Sequence, residues 1–150
     1  MEERKLMETA SFIPRETKDT LRMESQLKSR VEKAWKVKME KIPSTYSLDY
    51  AILRDGGVAS WAELKCRTHA FGTYDTYMIS LKKWNACREF HATSHLKAFL
   101  IVGFTDGDYW MDTSVVKDFK VLMGGRSDRD WVVDREPCVF FDINNFSKFK

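Results

Sequence analysis

Cysteine is scarce: three occur in 150 residues (Cys66, Cys87 and Cys138), and no two form a CxxC pair. That argues against a disulfide framework and a zinc cluster, and makes a reducing cytoplasm the expected setting, bacterial or, for a phage-encoded chain, that of the host. The three histidines do not supply what the cysteines lack. His91 and His95 are four apart, but Thr93-Ser94 is expected to end a helix between them. No apolar run approaches membrane-spanning length, so no membrane partner is expected. MEERKLMETA has no apolar stretch and is not expected to act as a signal peptide. Gly124-Gly125 is not followed by Lys-Ser/Thr, so a phosphate-cradling loop is missing and no nucleotide cofactor is expected. No internal repeat or low-complexity segment occurs.

The length suits one domain able to bury a core without staples. Hydrophobic residues make up 43% and aromatics 13%, a globular balance. Five Trp and ten Phe exceed what a small core needs, which leaves some for a binding surface. Net charge is only +3, but its distribution is uneven. Arg15, Lys18, Arg22, Lys28, Arg30, Lys33, Lys36, Lys38 and Lys41 crowd one segment, and Arg126, Arg129 and Arg135 another. Such clusters either meet a polyanion or form a solvated helix face.

Residues 1–18 read as a flexible arm, and 19–150 as a single domain. Leu21, Leu27, Val31, Ala34 and Trp35 recur at helical spacing and predict a helix from Lys18 to about Lys41, with Pro43 beyond it. Tyr46 to Leu53 alternates as a strand, Asp55-Gly56-Gly57 signals a tight turn, and Val58 to Arg67 reads as the returning strand. Residues 68–79 read as a loop. Ser80 caps a helix from Leu81 to about His91. Strands are expected at 97–104, 109–111 and 138–141, and a short helical piece near 115–119. The order predicts an α/β domain, a mixed central β-sheet flanked by helices.

Within the hairpin, Glu63 and Lys65 are two apart and share a strand face. Asp49 lies on the preceding strand, away from the Leu48, Tyr50 and Ile52 face. A cross-strand salt bridge would account for the three charges. Their apolar flanks, SLDYAIL and SWAELKC, favour something more, because buried charges are costly unless paired or bound to metal. Neighbouring carboxylates suit a hard cation such as Mg2+. A nearby ammonium can orient water or offset charge on a phosphate.

The string Asp49-x13-Glu63-Leu64-Lys65, with a DGG turn between and Arg67 after it, resembles the active-site hairpin of the PD-(D/E)XK nuclease superfamily, which includes phage and repair nucleases and Holliday-junction resolvases. The order helix, β-meander, helix, strand matches over roughly residues 20–112. The resemblance implies a restriction-endonuclease-like core and a Mg2+- or Mn2+-dependent endodeoxyribonuclease, structure-selective and working as a homodimer on DNA. It implies that Asp49, Glu63 and the main-chain carbonyl of Leu64 bind the metal and that Lys65 positions the attacking water. Tyr46-Ser47-Leu48 carries no Pro before the Asp, a frequent departure in the superfamily.

Many members add a glutamate from the first helix. Glu24 shares a face with Leu27, Val31 and Trp35 and is the candidate; Glu32 sits among lysines as a surface partner of Lys28 or Lys36. Glu24 also reads as a first-turn acid favouring the helix dipole. Lys82 and Lys83 open the next helix, where they either meet phosphate beside Arg67 or are simply solvated. Trp61 and Trp110 are expected in the core. Two further readings of the whole chain are a catalytically inactive nucleic-acid-binding module on the same fold, and a structural ion-pair network of Asp49, Glu63 and Lys65.

Overall fold

The computed structural model describes residues 18–124 and 135–150. Residues 1–17, which carry nearly all of the expected arm, lie outside the described set, as do Gly125, Arg126 and Arg129.

Helix α1 spans Lys18–Trp35 and buries Leu27 and Val31. It ends six residues earlier than the apolar spacing and Pro43 predict. Lys36 takes a left-handed conformation (φ 56°), and the period changes to two. Val37 and Met39 are buried while Lys38 and Glu40 face outward. Lys38–Lys41 is therefore strand β1, antiparallel to β2 (Tyr50–Arg54), with Lys38 opposite Leu53.

The hairpin of β2 and β3 (Gly57–Cys66) forms as expected. Asp55 and Gly56 both have positive φ (53° and 82°), the conformation a two-residue turn needs and that Gly accepts without a Cβ clash. The strand does not reach back to Tyr46. Ser44–Tyr46 is a 3-10 turn and Ser47 is left-handed (φ 61°), so Asp49 lies just before β2 instead of inside a strand.

The main sheet has the order β1-β2-β3-β5-β6-β9, with β5 at Ala98–Phe104, β6 at Gly107–Asp112 and β9 at Ser147–Lys148. Only the β3/β5 pair is parallel within it, which makes the sheet mixed. The crossover between them contains helix α2 (Leu81–Ser94), whose N-cap Ser80 accepts a hydrogen bond from the Lys83 N–H. A second sheet, ordered β4-β8-β7, joins Thr76–Ser80 (β4), Glu136–Asp142 (β8) and Phe119–Gly124 (β7). Two expectations change here. The segment read as a loop ends in β4, whose Tyr77 and Ile79 are buried, and the 115–119 piece is a 3-10 turn at Thr113–Val115 leading into β7.

The sheet separates two apolar layers. On one face Leu27 and Val31 of α1 pack against Ile52, Ala62, Leu64 and Ile101. On the other, Leu100, Val102 and Met111 pack with Trp84 of α2 and with Val139 and Phe141 of the second sheet. Glu63 and Lys65 alternate with Ala62 and Leu64, so they belong to the α2 side.

Candidate active site

Glu63 is completely buried, with 0% exposure. Neither of its carboxylate oxygens has a hydrogen-bond partner. Two ammonium groups pair with it electrostatically: Lys83 Nζ lies 3.3 Å from Oε1 and Lys65 Nζ 3.8 Å from Oε2. Burial pushes the Glu63 carboxyl up to about 7; Asp49 adds to the rise, and Lys65 and Lys83 oppose it. Its charge reaches α2 as well. Cys87 is held up at about 12, first by burial and next by Glu63.

Asp49 is fixed by the main chain of the opposing strand. Its Oδ2 accepts a hydrogen bond from the Leu64 N–H at 3.2 Å, and its Oδ1 lies 3.9 Å from Lys83 Nζ. The register explains this. The last β2 partner of β3 is Tyr50, opposite Ala62, so Leu64 has no strand residue across from it on that side. The Asp49 side chain takes that place. Within an extended strand the N–H and C=O of one residue point to the same side, so the Leu64 carbonyl opens toward the same gap.

These groups fit a hard cation. Two carboxylates and a carbonyl supply oxygen donors, and a buried carboxylate with both oxygens unbonded is an environment that a cation relieves. No group of three or more His, Cys, Asp or Glu suited to a metal occurs among the described residues, so among them Asp49 and Glu63 stand as a pair of carboxylates.

Glu24 therefore does not complete a three-carboxylate cluster. It sits on the α1 side of the sheet, where it accepts hydrogen bonds from Tyr50 Oη at 2.7 Å and Lys41 Nζ at 2.9 Å. Tyr50 pairs with Ala62, on the face opposite Glu63. Glu32, read as a surface residue, pairs with Lys28 at 3.5 Å and also accepts from the Met39 N–H.

The two lysines of α2 separate. Lys82 is exposed, whereas Lys83 is half-buried, turned toward the carboxylates, and donates to the Ser47 carbonyl at 3.2 Å. The sequence carries a signal for this difference: Lys83, Cys87 and Phe90 follow an i, i+4, i+7 pattern, and Cys87 is fully buried. Arg67 follows Glu63 and Lys65 on the same strand face. Its guanidinium lies 5.0 Å from the centre of the Tyr77 ring and donates weakly to the Met78 carbonyl at 3.5 Å. Arg67 Nε and Tyr77 Oη, both buried, have no hydrogen-bond partner. Trp61 packs edge-on to Phe90 and donates to Ser94 Oγ, while Trp110 is only half-buried.

A mixed sheet with helices on both faces and an Asp/Glu-x-Lys hairpin beneath the second helix define a restriction-endonuclease-like core of the PD-(D/E)XK class. The sequence matches the family described as "Phage putative PDDEXK endonuclease" over residues 13–149, and the chain belongs to that family. In fold it is similar to Hjc, a Holliday junction resolvase from the archaeal hyperthermophile Archaeoglobus fulgidus. The TM-score is 0.53 at 12% sequence identity, covering 81% of this chain and 87% of that one. No curated protein matches the sequence.

Proposed function

We propose that the chain is a divalent-metal-dependent endonuclease that hydrolyses DNA phosphodiester bonds, with Mg2+ or Mn2+ held by Asp49, Glu63 and the Leu64 carbonyl. The observation that carries this reading is the Glu63 carboxylate, fully buried beside Asp49 and met only by the ammonium groups of Lys83 and Lys65. A bound cation of this kind polarises a phosphoryl oxygen and lowers the pKa of water. The rest falls to the chain's own groups. Lys65, with its side chain 41% exposed, sits at the mouth of the site, where its ammonium can orient a water and offset charge on the phosphate. Lys83 neutralises the carboxylates from the inner side. Arg67, stacked on Tyr77, is available to a neighbouring phosphate, and Lys82 to the backbone further out. Glu24 supports this arrangement from the other face of the sheet by tying α1 to β1 and β2.

The resolvase-like fold supports a structure-selective enzyme; that it acts as a homodimer in the cytoplasm is part of the same proposal. No helix among the described residues is long and apolar enough to cross a membrane. The test is a cleavage panel of plasmid and branched DNA in Mg2+, Mn2+ and EDTA, with calorimetric titration of Mn2+. Cleavage and metal binding should both vanish in the double variant Asp49→Asn, Glu63→Gln. DNA binding without cleavage by the wild-type chain would instead identify a non-cleaving module, and unchanged Mn2+ binding in the double variant would refute the site.

A further inference from the structure

A second concave feature lies on the opposite face of the sheet from Glu63. It is a groove of about 520 Å3 between the C-terminal end of α1 and the strands beneath it, within the range of ligand pockets. Its walls are aromatic. Trp35, Phe99 and Trp110 stand mutually edge-on or tilted, with centroids 5.1 to 5.8 Å apart, and each remains half-exposed. Phe149, 4.8 Å from Trp35, backs the cluster. The rim carries Arg54 and Lys97, both exposed. Neither takes part in an ion pair among the described residues, and no acidic residue lines the groove. Half-exposed tryptophans held rigid by one another, beneath unpaired cations, suit a ligand with a flat aromatic face and an anionic link.

We propose that this groove binds an unpaired nucleotide strand of the nucleic-acid substrate, a base stacking on Trp35 or Trp110 and its phosphates meeting Arg54 and Lys97. The inference rests on the nuclease reading above and adds a substrate class to it. Bases inside a duplex are already stacked; only an unpaired nucleotide offers its face to an aromatic ring. The groove is also too far from the carboxylates to hold the reacting phosphate. Ser60, at its floor, precedes Glu63 by three strand residues, about 10 Å, and faces the other side of the sheet. The bound strand is therefore a single-stranded extension that passes around the sheet from the cleaved region, as in flapped, branched or overhanging DNA.

The test uses the full chain in EDTA, so that binding is read without cleavage. A short oligothymidylate should quench tryptophan fluorescence, and the quench should shrink in Trp110→Phe, which keeps an aromatic ring in the wall. In Arg54→Gln with Lys97→Gln, both on the exposed rim, the preference for oligothymidylate over a blunt duplex of equal length should fall about tenfold. An unchanged preference, or no quench with the wild-type chain, overturns the proposal. Plasmid cleavage by the wild-type chain in Mg2+, measured in parallel, separates the two possible failures. Cleavage without oligothymidylate binding leaves the nuclease reading intact and removes the groove; binding without cleavage does the reverse.

Discussion

Replacing Glu63 by Gln should stabilise the metal-free protein at high pH while abolishing the proposed metal site. Glu63 is wholly buried and its carboxyl is raised from 4.5 to about 7. A tenfold change in proton affinity corresponds to about 1.4 kcal/mol, so ionising this group in the folded state costs about 3 kcal/mol relative to the unfolded chain. The sign follows from the direction. Below pH 4.5 both states hold the proton and Glu63 adds no pH dependence. Between 4.5 and about 7 the unfolded chain releases its proton first, so stability falls as pH rises, and above about 7 the full penalty applies. Glu63→Gln keeps the shape and removes the titration. Urea denaturation of both proteins in EDTA across this range isolates the term, because the other titrating groups cancel in the difference. The variant's advantage should grow by about 3 kcal/mol from pH 4 to pH 8, roughly 6–12 °C in melting temperature for a chain of this size. Mg2+ at a thousandfold its Kd should reverse the order at pH 8, since a ligand at that concentration adds about 4.1 kcal/mol to the wild type alone. A difference that stays flat with pH would refute the reasoning: Glu63 would then not be an unrelieved buried charge.

Three further outcomes are expected. Lys65→Ala should abolish cleavage while leaving calorimetric Mn2+ binding and the unfolding transition close to wild type; cleavage at the wild-type rate would remove Lys65 from its assigned role. Lys82→Ala should reduce the slope of log affinity for duplex DNA against log salt, measured in Ca2+, by about 0.9, the loss of one phosphate contact, and an unchanged slope would mean that Lys82 meets only solvent. Lys83→Met should tighten Mn2+ binding about tenfold, or about 1.4 kcal/mol, because the ammonium near both carboxylates competes with the metal for them; weaker binding would show that Lys83 organises the site more than it competes.

The hairpin was legible in the sequence because its signals are local. Alternation in β3 fixes which face Glu63 and Lys65 share, and Asp55-Gly56 can adopt the turn that few other pairs accept. Asp49 was legible as a residue but not as a conformation. The stretch from Tyr46 to Ile52 alternates well enough to pass for strand, yet Ser47 turns left-handed and lets the Asp49 side chain take the place of a ladder partner at Leu64. Helix α1 was read too long because its end was set by Pro43, although its apolar spacing stops at Trp35; the Val37/Met39 alternation was the better signal. Strand β4 was hidden by the unpatterned segment before it, THAFGTYD, whose Gly, Thr and Asp read as loop. Strand β7 carries exposed Val121, Leu122 and Met123, and nothing in an unalternating apolar run distinguishes strand from helix. Glu24 illustrates the limit of a helical-face argument: the face was read correctly, but it packs on the side of the sheet away from Glu63.

The charge arrangement explains why the site can wait for its ligands. Asp49 and Glu63 carry two negative charges when ionised, and Lys65 and Lys83 carry two positive ones, so the pocket is close to neutral before any ion arrives. A phosphodiester approaching that pocket meets little net attraction. On the metal reading proposed above, a divalent cation would shift the local charge to about +2, and the same phosphate would then be attracted. On that reading the buried Glu63 would gain most, since its oxygens are met only by the ammonium groups of Lys83 and Lys65. Asp49 gains least, because the Leu64 N–H already holds one oxygen in place. The two carboxylates thus divide the work. On the proposed reading, Asp49, preorganised by the main chain, would set where an ion sits, while Glu63, with its carboxyl raised to about 7, would bind it more tightly as pH rises past neutrality.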